Sequence, residues 1–115
     1  MEYKDYKNRE LSIRVSESQR ILKKYPHMIP IILEKYNNQS PDLKYYKYLV
    51  NPDVSVGMFL YNIRQRCKLS ETETLFLYSK DIVVNSSQMI NVVYHQDKNE
   101  DNFLYFSYGI ENTFG

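Results

Sequence analysis

Tryptophan and alanine are absent from the 115 residues, cysteine occurs once and glycine only three times. A lone thiol, Cys67, excludes an internal disulfide and a cysteine-built zinc site, and it suits a reducing cytosol. No apolar run approaches the roughly 20 residues a helix needs to cross a bilayer, and no signal-peptide pattern opens the chain. Phosphate-binding glycine loops and metal-ligand spacings are missing. The two histidines, His27 and His95, fall at a turn and near a helix end, with no Ser/Cys-His-carboxylate set around them. They read as surface residues, so neither an enzyme, a cofactor nor a metal site is expected. What is abundant is tyrosine, at twelve, beside five phenylalanines. Asparagine and lysine, at ten each, reflect coding bias more than chemistry. With 43% hydrophobic and 25% charged residues, this length describes one folded α+β domain.

Charge is unevenly laid out. Residues 1–68 hold 13 Lys/Arg against 7 Asp/Glu, a net of +6, whereas residues 69–115 hold 2 against 7, a net of −5. A basic region facing an acidic partner is one reading, and an uneven solvated surface is the other. Near-zero total charge and the acidic second half count against nucleic acid, although YKDYKNR and LKYYKYL interleave bases with aromatics.

Residues 1–10 alternate tyrosine with charge and show little periodicity. Leu11, Val15, Ser18 and Leu22, with Ile21 alongside, space a helix that Pro26 ends. His27–Lys35 reads as a β-branched strand whose Pro30 needs an edge or a place where no ladder bond is required. A polar loop at 36–44 leads to a second strand, Tyr45–Val50. Ser55 can cap a helix carrying Phe59, Ile63 and Cys67. Ser70–Glu73 matches a capping box and predicts a helical turn. Leu75–Tyr78 and Ile82–Val84 form a hairpin around Ser79-Lys80-Asp81. Ile90, Val93 and Tyr94 mark a short helix stopped by the acidic run at 97–101, and Phe103–Tyr108 is the last strand. From Gly109 the pattern fades, which predicts a mobile tail. The order strand, strand, helix, strand, short strand, short helix, strand, with a helix ahead of it, is that of the ubiquitin-like β-grasp.

Six collinear segments then carry a more specific likeness. They are Lys23–Pro26 with Ile29–Lys35, Lys47–Val50, Val56–Phe59, Ile63–Arg66, Glu100-Asp101 with Phe103–Tyr105, and Phe114-Gly115. Together they resemble the autophagy-related protein 8 family, the ubiquitin-like modifiers that include GABARAP and microtubule-associated light chain 3. The resemblance implies an α+β ubiquitin-like β-grasp with two additional N-terminal helices: an N-terminal helical extension at 1–26, a ubiquitin-like domain at 27–108 and a flexible conjugation tail at 109–115.

It also implies that the Gly115 carboxylate is activated by ATP and passed as a thioester between activating and conjugating enzymes. The acceptor is the amine of phosphatidylethanolamine, and a cysteine protease reverses the attachment. Either no first cleavage is needed or the chain has been cut at that glycine; both stay open. The implied locations are the cytoplasm and, after lipidation, autophagosomes or cytoplasmic vesicles.

Cargo receptors with an aromatic-x-x-aliphatic motif are the implied peptide partners, added to the edge of the second strand. By position, the aromatic pocket falls to Glu17, Ile21, Pro30, Ile32, Lys47, Leu49 and Phe103. The aliphatic pocket falls to Tyr48, Val50, Val54, Phe59 and Ile63, with Lys24 and Arg66 adding to a basic rim. Ile32, Ile63, Phe103 and Leu49 fit plain core packing as well, and Tyr48 can face either way. Met28, Tyr45, Tyr46 and Asn62 depart from the family's usual residues, which thins the basic rim and makes the aliphatic pocket more polar. Leu11 replaces a usual phenylalanine. An alternative is an unconjugated ubiquitin-like adaptor in vesicle trafficking, or one that meets tubulin's acidic surface through the basic N-terminal helices.

Overall fold

The computed structural model describes residues 3–112. A 3-10 helix, Tyr3–Asn8, precedes α1 (Leu11–Lys24), β1 (Ile29–Lys35), β2 (Lys47–Val50) and α2 (Val56–Gln65). The chain continues through β3 (Glu73–Ser79), β4 (Ile82–Val83), α3 (Ile90–Asp97) and β5 (Leu104–Asn112). The strands form one mixed sheet in the order β2-β1-β5-β3-β4, with β1 and β5 parallel and the other pairs antiparallel. This is the β-grasp expected from the element order.

One face of the sheet carries the main core. Ile29, Ile31 and Leu33 of β1 alternate inward beside Leu104 and Phe106 of β5 and meet Phe59 and Ile63 of α2. Ile90, Val93 and Tyr94 of α3 close one end. The opposite face holds a smaller cluster of Tyr6, Ile32 and Phe103, flanked by Ile21, Tyr46 and Tyr105, beneath the 3-10 helix and α1. β1 is therefore covered on both faces, which explains its unbroken apolar run. Pro30 fits inside it for a geometric reason. The Leu33 N–H donates to the Tyr46 carbonyl at 2.7 Å, so odd-numbered amides of β1 aim at β2 and the Pro30 nitrogen faces β5. Pairing with β5 begins only at Ile31, and no ladder bond is missed.

Several local expectations change. The buried face of α1 is Arg14 and Ser18 with Ile21 half-covered, whereas Leu11 is exposed. Only one half of the capping box forms, the Ser70 N–H to Glu73 Oε1 at 2.9 Å; the Glu73 N–H goes instead to the Ser70 backbone carbonyl at 3.2 Å, and the Ser70 hydroxyl pairs with that of Thr72. These bonds close a turn into β3, because Leu75 and Leu77 alternate into the core and period two prevails over helix. Cys67 lies two residues past the end of α2 and packs on the core edge. Residues 109–112 are not the tail expected from Gly109: β5 stays paired to β3 through Asn112. Gly109 belongs in that strand for a steric reason, since a Cβ there would sit 3.2 Å from the Tyr36 Cβ. Residues 113–115, including Gly115, lie outside the described residues.

Ser55 caps α2 as expected, its Oγ accepting the Met58 N–H at 3.1 Å. The β3–β4 turn has Lys80 and Asp81 both at positive φ (51° and 66°), the geometry a two-residue hairpin needs to match strand twist.

Candidate functional site: the β2 edge

β2 is an edge strand, and its backbone alternates. Tyr46 pairs with Leu33 and, in the same register, Tyr48 faces Ile31, so the amides and carbonyls of Lys47 and Leu49 point outward from the sheet. An extended segment can add there as a further strand.

The side chains of β2 alternate too, which places two apolar sites on opposite faces of that edge. On the α2 side, a cavity of about 240 Å³ is lined by all five residues expected there: Tyr48, Val50, Val54, Phe59 and Ile63. Phe59 and Ile63 are its buried floor, while Tyr48, Val50 and Val54 are half-buried walls. Tyr48 thus faces α2, its ring edge-on to Phe59 with centroids 5.7 Å apart. Arg66 lies over the Tyr48 ring at 5.8 Å, and Asn62 completes a polar rim. Burial raises the Tyr48 phenol above its usual value, with Arg66 pulling the other way.

On the α1 side stand Glu17 and Ile21 from α1, Pro30 and Ile32 from β1, and Lys47 and Leu49 from β2, with Phe103 just before β5. Lys47 is ion-paired to Glu17, tying the edge strand to the helix. Ile32 and Phe103 have no exposed surface, so they form a covered floor rather than open walls. Their cover is Tyr6, a residue whose role the sequence reading missed. Its ring meets Phe103 edge-on at 5.4 Å, and its hydroxyl donates to Glu17 Oε2 at 2.9 Å. Arg9 also sits over the Tyr6 ring at 4.8 Å and lies 3.9 Å from Glu17. Nothing in the irregular YKDYK stretch marks Tyr6 as buried; only the tertiary cluster does. Tyr46 likewise packs against Tyr6, with centroids 6.0 Å apart. Burial lowers the Lys47 ammonium below the ordinary lysine value, and Arg9 adds to this. Lys24 is separate: it is exposed at the end of α1, its ammonium over the Tyr25 ring at 5.5 Å.

The family described as "Autophagy protein Atg8 ubiquitin like" matches residues 13–115. The chain belongs to the Atg8 family. Autophagy-related protein 8a of Arabidopsis thaliana is 42% identical over 106 residues, covering 91% of this chain and 87% of that protein. Autophagy-related protein 8B of Oryza sativa is 41% identical over the same length, covering 91% of this chain and 89% of that protein. A crystal structure of Trypanosoma brucei ATG8 superposes with a TM-score of 0.85 at 36% identity, covering 96% of each chain. Membership fixes this chain as a ubiquitin-like autophagy protein. Among the described residues, no helix is long and apolar enough to cross a membrane.

Proposed function

We propose that this Atg8 protein is a non-enzymatic modifier, conjugated through the Gly115 carboxylate to phosphatidylethanolamine. In this reading it recruits receptors whose aromatic-x-x-aliphatic motif adds to β2. The observation that carries the docking half is the unpaired β2 edge, with an apolar site on each of its faces and the outward Lys47 and Leu49 backbone between them. An extended ligand alternates its side chains as β2 does, so residues of opposite direction can enter both sites from one strand. Burying one aromatic of 150–250 Å² yields roughly 4–6 kcal/mol before ordering costs, which leaves binding near the micromolar range. Lys47 and Arg66 favour acidic residues around the motif.

Attachment to a lipid follows from the family and from the absence of side-chain bulk at glycine, which lets its carboxylate enter narrow enzyme clefts. Phosphatidylethanolamine brings two acyl chains, enough for stable anchoring at roughly 0.8 kcal/mol per buried CH₂. The proposed partners are accordingly the activating and conjugating enzymes, the deconjugating protease, motif-bearing receptors and the membrane. The proposed locations are the cytoplasm and, once lipidated, autophagosomal or vesicle membranes. The extension at 1–26 supplies the α1 half of the docking site in this scheme, and the last three residues supply the reactive end.

Incubation with the conjugation enzymes, ATP and phosphatidylethanolamine liposomes tests the lipid half. A faster-migrating, membrane-bound product that disappears when Gly115 is deleted is expected; no product at all points to the unconjugated adaptor. For the docking half, calorimetric titration of an aromatic-x-x-aliphatic peptide should weaken with Leu49→Ala and with Lys47→Ala. Unchanged affinity in both variants rejects the site.

A further inference from the structure

The two apolar sites of the β2 edge differ in one respect: the α2 cavity has half-buried walls, whereas the aromatic site is filled by the chain itself. Ile32 and Phe103, expected to receive a ligand's aromatic ring, have no exposed surface, and neither has the Tyr6 that covers them. Tyr6 is surrounded as a bound aromatic ligand would be. Its ring stands edge-on to Phe103 at 5.4 Å and tilted to Tyr46 at 6.0 Å. The Arg9 guanidinium and the Lys47 ammonium lie over it at 4.8 Å and 5.1 Å, and its hydroxyl donates to Glu17 Oε2 at 2.9 Å. Glu17, Ile32, Lys47 and Phe103, four of the seven residues assigned to the site, thus hold Tyr6 or share its cluster. Ring pairs in contact sit about 4.5–7 Å apart, so no second ring fits between Tyr6 and Phe103.

This plug is lightly rooted. Among the described side chains ahead of α1, Tyr6 alone is buried; Lys7 and Asn8 are exposed and Arg9 is half-buried. The six-residue 3-10 helix is too short to hold its shape unaided. Besides the Tyr6 hydroxyl, it is tied by Lys7 over the Tyr105 ring at 4.8 Å and by the Arg14 Nε–H, which donates to the Arg9 carbonyl at 3.0 Å. α1 has anchors of its own, Arg14 and Ser18 on Asp101, so withdrawing Tyr6 does not require undocking the helix.

We propose that Tyr6 is a built-in competitor for the aromatic site, which a ligand's aromatic residue must displace, and that it thereby sets which motifs bind. The inference rests on the β2 docking reading and deepens it. Exchanging a tyrosine ring for a ligand's ring of similar area gains little net burial. Selection therefore falls on the strand pairing with Lys47 and Leu49 and on the aliphatic residue entering the α2 cavity. Apparent affinity is the intrinsic affinity reduced by the fraction of molecules in which Tyr6 is out.

The test is calorimetric titration of the full chain with acetyl-Asp-Glu-Trp-Ser-Ser-Leu-amide and with the same peptide carrying alanine for tryptophan. Parent, Tyr6→Ala and Tyr6→Phe are compared. Tyr6→Ala should bind the tryptophan peptide about tenfold more tightly than the parent, as for a site open in about a tenth of parent molecules. The tryptophan-to-alanine change should also cost about tenfold more in Tyr6→Ala than in the parent, a coupling that general destabilisation does not produce. Tyr6→Phe keeps the ring and loses only the Glu17 bond, so it should tighten binding about threefold. In NMR of the labelled parent, the tryptophan peptide should shift the Tyr6 ring signals and expose the Arg9 amide, which bonds to the Tyr6 carbonyl at 3.1 Å, to hydrogen exchange. The alanine peptide should do neither. Equal affinity in all three forms, or tryptophan peptide bound to the parent with Tyr6 and Arg9 unmoved, overturns the proposal and leaves β2 docking standing. Binding to none of the three forms rejects β2 docking itself, and the proposal with it.

Discussion

Removing Asp101 should be among the most damaging single changes in this protein, although it lies on a loop. Asp101 has no exposed surface, and its Oδ2 accepts from Arg14 at 2.6 Å and from the Tyr105 hydroxyl at 2.5 Å. Its Oδ1 accepts the Phe103 N–H at 2.8 Å, and its carbonyl takes the Ser18 hydroxyl at 2.6 Å. Arg14, only 8% exposed, is also held by its Nε–H to the Arg9 carbonyl at 3.0 Å. Asp101→Ala strands a buried guanidinium, a phenol and a backbone amide at once, for a loss of about 4–5 kcal/mol. Arg14→Ala leaves Asp101 with two donors and costs less, about 3 kcal/mol. Because the two share one interaction, the double variant should lose about 2 kcal/mol less than the sum. At roughly 4 °C per kcal/mol for a domain of this size, Asp101→Ala lowers Tm by about 16–20 °C. Urea unfolding gives the free energies and calorimetry the midpoints. Strictly additive losses, or singles within about 1 kcal/mol of the parent, would refute the view that this pair clamps α1 to the sheet.

Three further outcomes follow from individual side chains. Glu34 has its folded pKa above the unfolded one, so the native state binds that proton more tightly and loses stability as pH climbs through the interval between the two. Glu34→Gln should therefore raise Tm at about pH 7, with the gain fading toward about pH 3, below the ordinary glutamate value, where the folded and unfolded states are both protonated; a constant gain across that range contradicts the assignment. Asn62→Leu places an apolar group at the rim of the aliphatic cavity, and each CH₂ covered by a bound peptide adds about 0.8 kcal/mol, or about fourfold in affinity. Calorimetry showing no tightening would mean that the motif's aliphatic residue does not reach α2. Burial raises the Cys67 thiol, with a smaller opposing pull from Arg64, so iodoacetamide should alkylate it more slowly than free glutathione at about pH 8; equal rates would show an open thiol.

What could be read ahead of the structure was whatever is written in local periodicity. β1, α2 and the β3–β4 hairpin follow from alternation, the Ser55 cap and a short polar turn, and each leaves a mark within a few residues. α1 was harder, because its buried face is built on Arg14 and Ser18, whose partner Asp101 stands 87 residues from Arg14. A charged residue is buried only when a distant group satisfies it, and no window of ten residues contains that fact. The same holds for Tyr6, which is covered only once the 3-10 helix folds back over Phe103. Ser70–Glu73 shows the converse: one of the two expected local bonds forms, but inward-facing Leu75 and Leu77 decide that a strand follows. The continuation of β5 past Gly109 went unread because a glycine that makes space for Tyr36 resembles one that loosens a tail.

Because β2 forms the rim between the two apolar layers, a ligand straddling it would draw one grip from each side of the molecule. Those grips rest on different foundations: the α2 side shares the residues of the main core, whereas the α1 side leans on a helical cover fastened by a small apolar cluster and a few buried polar bonds. Substitutions on the cover that spare its Arg14–Asp101 anchor can thus retune which ligands are welcomed while the main core stays as it is.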